Sequence, residues 1–293
     1  MPELPEVETV RRMLEGAVRG RRIARVAISG KALHGRVPRE LPRALRGRTI
    51  ERLRRHGKFL LIELSGGVTL ISHLGMSGRW LYHARPPRTR PPHLHARIVL
   101  ADGGELWFED ARRFGMLRAV ASDAVERDPS LAPLGPDPIA QPPTGASLAR
   151  AARGSRVAVK TWLLDQKRIA GVGNIYASEI LHRAGVDPRA KARALSAAAW
   201  ARVAAETTHV LDEAIARAGT TFSMYRTVWG EPGSFGGLLR VYDRAGEPCR
   251  NCGAPIRRIV QGQRSTYFCP ACQGRAAEAA GGRPARRPGP RPA

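Results

Sequence analysis

Lys58-Phe59-Leu60-Leu61-Ile62-Glu63-Leu64, then Ser65-Gly66-Gly67, then Val68-Thr69-Leu70-Ile71-Ser72-His73 is the stretch from which the architecture is read. Two short apolar runs rich in strand formers, separated by a glycine-bearing turn, predict an antiparallel hairpin. Further along, His95 to Leu100 and Glu105 to Glu109 flank Asp102-Gly103-Gly104 and predict a second hairpin. Phe114 to Val120 predicts another strand, and Arg85-Pro86-Pro87-Arg88-Thr89-Arg90-Pro91-Pro92 reads as an exposed basic loop. Repeated hairpins without intervening helices, from about Ile23 to Val120, argue for an antiparallel sandwich or barrel.

The flanks read differently. Upstream, Val7, Val10, Leu14, Ala17 and Val18 form a helical stripe that follows Pro5 and stops at Gly20. Downstream, residues 121–150 hold six prolines and little periodicity, which predicts a connection between domains. Beyond it the chain turns helical. Val157 to Gln166 and Asn174 to Ala184 are helix candidates, the second closed by Gly185 and Pro188. A third is capped by Ser196 and carries Trp200, Val203, Ala204, Val210, Leu211, Ala214 and Ile215 on one face as far as Gly219. Thr220 to Gly237 predicts a long loop, of the kind that often carries function. Five segments result: 1–120, 121–150, 151–237, 238–273 and a tail, 274–293, whose Arg, Pro, Gly and Ala content predicts disorder.

The 293 residues carry 49 Lys and Arg against 25 Asp and Glu, a net charge of +24. Five Arg and one Glu after Gln273 give the tail +4, so +20 belongs to the rest of the chain. Such an excess points to a polyanion, with nucleic acid ahead of an anionic membrane surface. No strongly basic amphipathic helix favours the membrane, and no apolar run approaches spanning length. The N-terminus holds three glutamates and no signal-peptide core, so a cytoplasmic protein without disulfides is expected.

Chemistry-bearing motifs are few and well separated. Cys249-x-x-Cys252 and Cys269-x-x-Cys272 use every cysteine in the chain, and two such knuckles fit a closed, structural tetrahedral Zn2+ site. Between them lies Arg257-Arg258-Ile259-Val260-Gln261-Gly262-Gln263-Arg264-Ser265-Thr266-Tyr267, a basic stretch that predicts a hairpin whose arginines suit either phosphate contact or plain solvated surface charge. Gly171-Val172-Gly173-Asn174 leads into a helix, where glycines permit close approach to a phosphate and where Asn174 equally suits a plain N-cap.

His73-Leu74-Gly75-Met76-Ser77-Gly78 and Asp110-Ala111-Arg112-Arg113-Phe114-Gly115 set apolar side chains among turn residues, either as core or as wedges between bases. At the start, trimming of Met1 would leave Pro2 as a terminal secondary amine beside Glu3. Such an amine has a reference pKa of about 7.7–8.0 against about 10.4 for lysine, so a sizeable fraction is nucleophilic at neutral pH. Helix entry is the competing account, since Pro5, Glu6 and Glu8 suit a first turn.

These motifs occur together and in order: Pro2-Glu3-Leu4-Pro5-Glu6-Val7-Glu8-Thr9, His73 to Gly78, Arg112 to Gly115, Gly171 to Glu179, and the cysteine module. Over residues 1 to about 273 the chain resembles the bacterial formamidopyrimidine-DNA glycosylase family. The resemblance implies an α+β fold: an N-terminal antiparallel β-sandwich flanked by helices, then a helical helix–two-turns–helix domain with a base-capping loop and a zinc-finger β-hairpin. It implies a monomer acting on double-stranded DNA with oxidised bases or abasic sites, holding one structural zinc.

For activity it implies base-excision repair: removal of 8-oxoguanine opposite cytosine and of formamidopyrimidines, then strand cleavage by β- and δ-elimination. Pro2 would form the Schiff base and Glu3 would donate a proton. Lys58 would assist β-elimination and Arg264 δ-elimination. Met76, Arg112 and Phe114 would fill the gap left by the flipped nucleotide. His93, Arg156, Lys160 and Asn174 would contact DNA, and Glu6, Thr220 and Thr221 would bind the extruded base. Ala111 stands where the family commonly has proline, the loop 222–237 is less recognisable, and the tail lies outside the pattern. Two rival readings are a sister glycosylase of the endonuclease VIII type, for oxidised pyrimidines, and a non-catalytic zinc-finger DNA-binding protein. Leu4 and the Met76, Arg112, Phe114 set argue against the first, and Pro2, Glu3 and Lys58 against the second.

Overall fold

A computed structural model describes residues 2–34, 37–221 and 225–274. Met1 and its removal, the segment 222–224 and the expected disorder of the tail past residue 274 lie outside the described residues. The chain divides into two compact units, Met1–Leu134 with Asp212–Gly237, and Gly135–Leu211 with Leu238–Ala293.

The first unit opens with α1 (Leu4–Val18), which has Glu3 at its N-cap and proline in its first turn. Its buried stripe of Val7, Val10, Leu14 and Val18 faces the core. Two antiparallel four-stranded sheets follow. One has the order β1 (Ile23–Ile28), β6 (Leu94–Leu100), β7 (Glu105–Asp110), β5 (Gly78–His83). The other runs β2 (Ile50–His56), β3 (Phe59–Leu64), β4 (Val68–His73), β8 (Met116–Ala121). A short helix, α2 (Leu41–Leu45), lies between β1 and β2 in sequence. Leu60, Ile62, Leu64 and Leu70 of the second sheet share one core with Trp80, Ile98, Leu106 and Phe108 of the first. The Trp80 indole N–H donates to Ser72 Oγ across that core at 3.0 Å.

The expected sandwich is therefore present, with both hairpins in register, Leu64 opposite Val68 and Val99 opposite Glu105. The β3 run does not alternate because it is buried on both faces. Leu61 and Ile71 point away from the sandwich core and pack against Val125 and Leu131, which follow β8. Burying four such side chains contributes several kcal/mol, at roughly 2 kcal/mol each. Residues 121–150 are thus more than a connection. They hold a 3-10 turn (Ser122–Arg127) and α3 (Gly145–Ala152), the latter capped by Thr144 Oγ1 accepting from Ser147 N at 3.1 Å. With Leu148 and Ala152 its only buried residues, α3 leaves no readable stripe.

The second unit contains α4 (Val159–Leu164), α5 (Asn174–Arg183), most of α6 (Ala197–Ala216) and a hairpin of β9 (Arg257–Gln261) and β10 (Arg264–Phe268). α4 is shorter than its apolar pattern because the preceding backbone is used elsewhere: Val157 O accepts from Ala192 N at 2.9 Å, and Ala158 bridges Lys191. Ser196 Oγ caps α6 by accepting from Ala199 N at 3.1 Å. Within the described residues no helix is long and apolar enough to cross a membrane.

A charged cluster fixes α1 to β2. Arg11, Arg12 and Arg55 all donate to the Glu8 carboxylate, and Arg55 also donates to Gly57 O at 2.9 Å. Burial pushes the Glu8 carboxyl up, but these guanidinium groups outweigh it and bring its pKa from the ordinary 4.5 down to about 2. A depressed carboxylate pKa contributes stability that is complete above 4.5 and lost as pH falls through about 2. Glu8→Gln should lower stability at pH 7 by about 2 kcal/mol and flatten its decline over that acid window. Urea denaturation at stepped pH checks this, and parallel pH profiles for the two proteins would refute it.

Candidate active site and nucleic-acid interface

In the first unit, Pro2 and Glu3 are both buried at the head of α1. Glu6, one turn in and 1% exposed, supplies the local fixation. Its Oε2 accepts from Glu3 N at 2.7 Å, and its Oε1 accepts from Thr220 N at 2.7 Å. Gly219 lies so close that a Cβ there would stand 2.7 Å from Glu6 Oε1, and its φ of +77° is one that side chains rarely adopt. Thr221 Oγ1 donates to Tyr225 O at 3.1 Å and accepts from Gly233 N at 2.9 Å. The Tyr225 hydroxyl donates to Glu6 O at 3.4 Å, and burial, with the Glu6 charge beside it, pushes that phenol far up, so it stays protonated. Glu6 thus joins the backbone next to Pro2 to Thr220 through its carboxylate and to Tyr225 through its carbonyl.

Lys58 occupies the turn between β2 and β3 and is 8% exposed. Its neighbour in space is His73, at the end of β4, whose ring packs on Phe59 with centroids 4.7 Å apart. Burial, and then the charges of Lys58 and His34, push the His73 pKa down to about 4, so the ring is neutral at pH 7. Its Nδ1 accepts from Gly75 N at 3.0 Å, which leaves the proton on Nε2.

Met76 is half-buried in the turn before β5. Arg112 and Phe114 are exposed between β7 and β8, with the Arg112 guanidinium 4.9 Å above the Phe114 ring. An exposed phenylalanine bearing a stacked cation is not a core residue, which removes the packing alternative for Phe114. The backbones of the two loops are in close contact: a Cβ on Gly75 would stand 2.4 Å from Phe114 C. His93 is exposed at the start of β6.

In the second unit, Lys160 is 1% exposed and its Nζ donates to Asn174 Oδ1 at 2.6 Å, Ser265 O at 2.8 Å and Thr266 Oγ1 at 2.8 Å. Asn174 also donates from Nδ2 to Ser265 O at 3.0 Å, so α4, α5 and the hairpin meet at one polar cluster. Asn174 is the first residue of α5, and Gly173 takes the cap position. Gln166 shapes the preceding turn, donating to Val172 O at 2.8 Å and accepting from Gly171 N at 2.9 Å. Arg156 and Arg264 are exposed. The buried Glu179 accepts from Arg240 N, Val241 N and Tyr242 N at 2.8 to 2.9 Å, fixing the approach to the cysteine module. Gln166 and Glu179 were not singled out from sequence; their partners lie two to 63 residues away, and no local pattern marks them.

The four sulfur atoms of Cys249, Cys252, Cys269 and Cys272 lie within 4.8 Å of one another. Two of the separations are 3.4 and 3.9 Å, near the roughly 3.8 Å expected around a tetrahedral zinc. Backbone N–H groups of Asn251 and Cys272 point at Cys249 Sγ and Cys269 Sγ at 3.4 Å, and His182 Nε2 stands 3.5 Å from Cys249 Sγ. Donors aimed at sulfur favour thiolates, which is the form that binds metal. The arrangement fits one structural zinc with no open position.

Residues 1–117 match the family model for the formamidopyrimidine-DNA glycosylase N-terminal domain, 134–226 that for its H2TH domain, and 246–274 that for a zinc finger found in FPG and IleRS. A formamidopyrimidine-DNA glycosylase of Methylococcus capsulatus is 45% identical over 275 residues, covering 93% of this chain and 100% of the relative. The structure of Lactococcus lactis Fpg with abasic-site DNA is 32% identical with a TM-score of 0.86, covering 93% of this chain and 100% of that one. A MutM complex with DNA containing carbocyclic 8-oxo-G is 32% identical with a TM-score of 0.84, covering 94% and 100%. With sandwich, helical segment and cysteine hairpin each matched along their length, the chain belongs to the formamidopyrimidine-DNA glycosylase family.

Proposed function

We propose that this protein is a bifunctional base-excision glycosylase and abasic-site lyase for oxidised purines, with Pro2 as its nucleophile. One observation carries the reading: the Glu6 carboxylate holds both the backbone beside Pro2 and the first residue of the 220–237 loop. The group that attacks and the loop that covers the extruded base then share one anchor.

The chemistry follows from the amine. With Met1 removed, the Pro2 nitrogen attacks the anomeric carbon of the damaged nucleotide, the glycosidic bond breaks, and the base leaves with a proton. Glu3 donates a proton to open the sugar ring. Because proline is a secondary amine, the Schiff base is an iminium whose positive charge cannot be lost by deprotonation, a lasting electron sink. Loss of a C2′ proton expels the 3′ phosphate, assisted by Lys58, and a second elimination expels the 5′ phosphate, assisted by Arg264. Met76, Arg112 and Phe114 occupy the space the nucleotide vacates, with Arg112 toward the orphaned cytosine. His93, Arg156 and Asn174 lie along the phosphates. Lys160 spends its donors on Asn174 and the hairpin, so its part is to set Asn174. Thr220 and Thr221 open the covering loop. Both the name of the Methylococcus relative and the 8-oxo-G complex of the MutM neighbour support oxidised purines as substrate.

Borohydride should trap a covalent adduct between the native protein and an oligonucleotide bearing 8-oxoguanine opposite cytosine. A variant that retains Met1 should bind the same DNA with no adduct; trapping by that variant, or none by the native protein, sinks the Pro2 assignment. Against ring-opened purines and oxidised pyrimidines, excision should favour the purines, and the opposite order points to an endonuclease VIII-like preference. Chelation of zinc should weaken DNA binding at least about tenfold by releasing the hairpin, as metal binding is folding energy for so small a module. Unchanged affinity after verified metal loss would refute the role of the finger.

A further inference from the structure

We infer that Asp110 and Ser77 are positioning residues that fix the gap-filling side chains as one constellation and thereby set opposite-base selectivity. The inference rests on the assignment of Met76, Arg112 and Phe114 made above. Asp110 is the last residue of β7, paired with Gly78 at the start of β5, and it is fully buried. Its Oδ1 accepts from Ser77 Oγ at 2.5 Å, and its Oδ2 accepts from Gly115 N at 2.6 Å. Ser77 has one hydroxyl proton, which goes to Asp110, so its oxygen is left to accept from Arg112 N at 2.9 Å. The backbone of Asp110 is committed as well: its N–H donates to His93 O at 3.0 Å, and its carbonyl accepts from His95 Nε2 at 3.0 Å and Arg113 N at 3.3 Å.

One buried aspartate, through its carboxylate and its backbone, therefore reaches the neighbours of every gap-filling side chain. Ser77 adjoins Met76, Gly115 adjoins Phe114, Arg112 is held through Ser77, and His93 is held by its own carbonyl. None of these bonds uses the side chains that face DNA, so those remain free to move while their backbones cannot. Arg113, with φ of 59°, is the left-handed step that lets Arg112 and Phe114 stack on the same side of this network. Buried hydrogen bonds of this kind are individually modest but costly to leave half-made.

The test is excision of 8-oxoguanine under single turnover, placed opposite each of the four bases. Ser77→Ala removes the link to Arg112 N while leaving Asp110 bonded to Gly115. It should cut the preference for cytosine over adenine by about fivefold to tenfold, with melting temperature followed alongside. Asp110→Asn, which keeps one of the two bonds, should fall between Ser77→Ala and Asp110→Ala. In an Arg112→Ala background Ser77→Ala should change the preference by less than about twofold, because the two act through one group. Equal slowing against all four bases, or effects of Ser77→Ala and Arg112→Ala that multiply, would overturn the positioning role. If Arg112→Ala shifts the preference and Ser77→Ala does not, this inference alone fails. If Arg112→Ala leaves the preference intact, the gap-filling assignment falls and takes the inference with it.

Discussion

The carboxylate of Glu6 is the constraint on which the first unit turns. A buried carboxylate must find donors, and here both its oxygens are filled by backbone N–H groups that no helix or sheet would otherwise satisfy, those of Glu3 and Thr220. Helix entry and the fixing of Pro2 are therefore one arrangement at this terminus. A helix start leaves its first amides without partners inside the helix, and here the bond from Glu3 N to Glu6 gives Pro2 a fixed place. The same carboxylate requires glycine at position 219, since nothing larger fits beside it. Local helix chemistry, loop conformation and placement of Pro2 reduce to one set of bonds.

The second unit solves a different problem. Its hairpin is short, β9 and β10 having five residues each, and the apolar cluster around the cysteine module is built on Val241, Ile256, Tyr267 and the cysteines. A core that small does not hold itself, and four thiolates on a metal replace the missing burial. The buried ammonium of Lys160 then joins the hairpin to α5 by way of Ser265, Thr266 and Asn174. A lysine so placed is costly unless each proton has an acceptor, and three acceptors are present.

What could be read in the sequence divides along one physical line. Features made by neighbours in the chain were legible: both hairpins, the stripe of α1, the cap of α6, and the paired cysteine knuckles. The loops of Met76, Arg112 and Phe114 were legible only in part: their residues read either as core or as wedges, and the exposure of Phe114 comes from the fold. Features made by partners far apart were not. Ser77 and Asp110 are 33 residues apart and meet only because β5 and β7 pair. Nothing local distinguishes Asp110 from a loop aspartate. The apolar contacts of 121–150 were not legible because Val125 and Leu131 find their partners on β3 and β4, not within their own segment.

The first unit is assembled from two separate stretches, with Tyr225 and Val228 in the same core as Trp80 and Val7. On a ribosome this sets an order of events. Residues near the amino terminus emerge first, yet their core is incomplete until the second stretch has been made, more than 200 residues later. At ordinary elongation speeds of about 5–20 residues per second, that interval is roughly 10–50 s. Throughout it the new terminus is open to the enzymes that trim nascent chains. Burial of Pro2 comes only afterwards, once the second stretch lets the fold close around it.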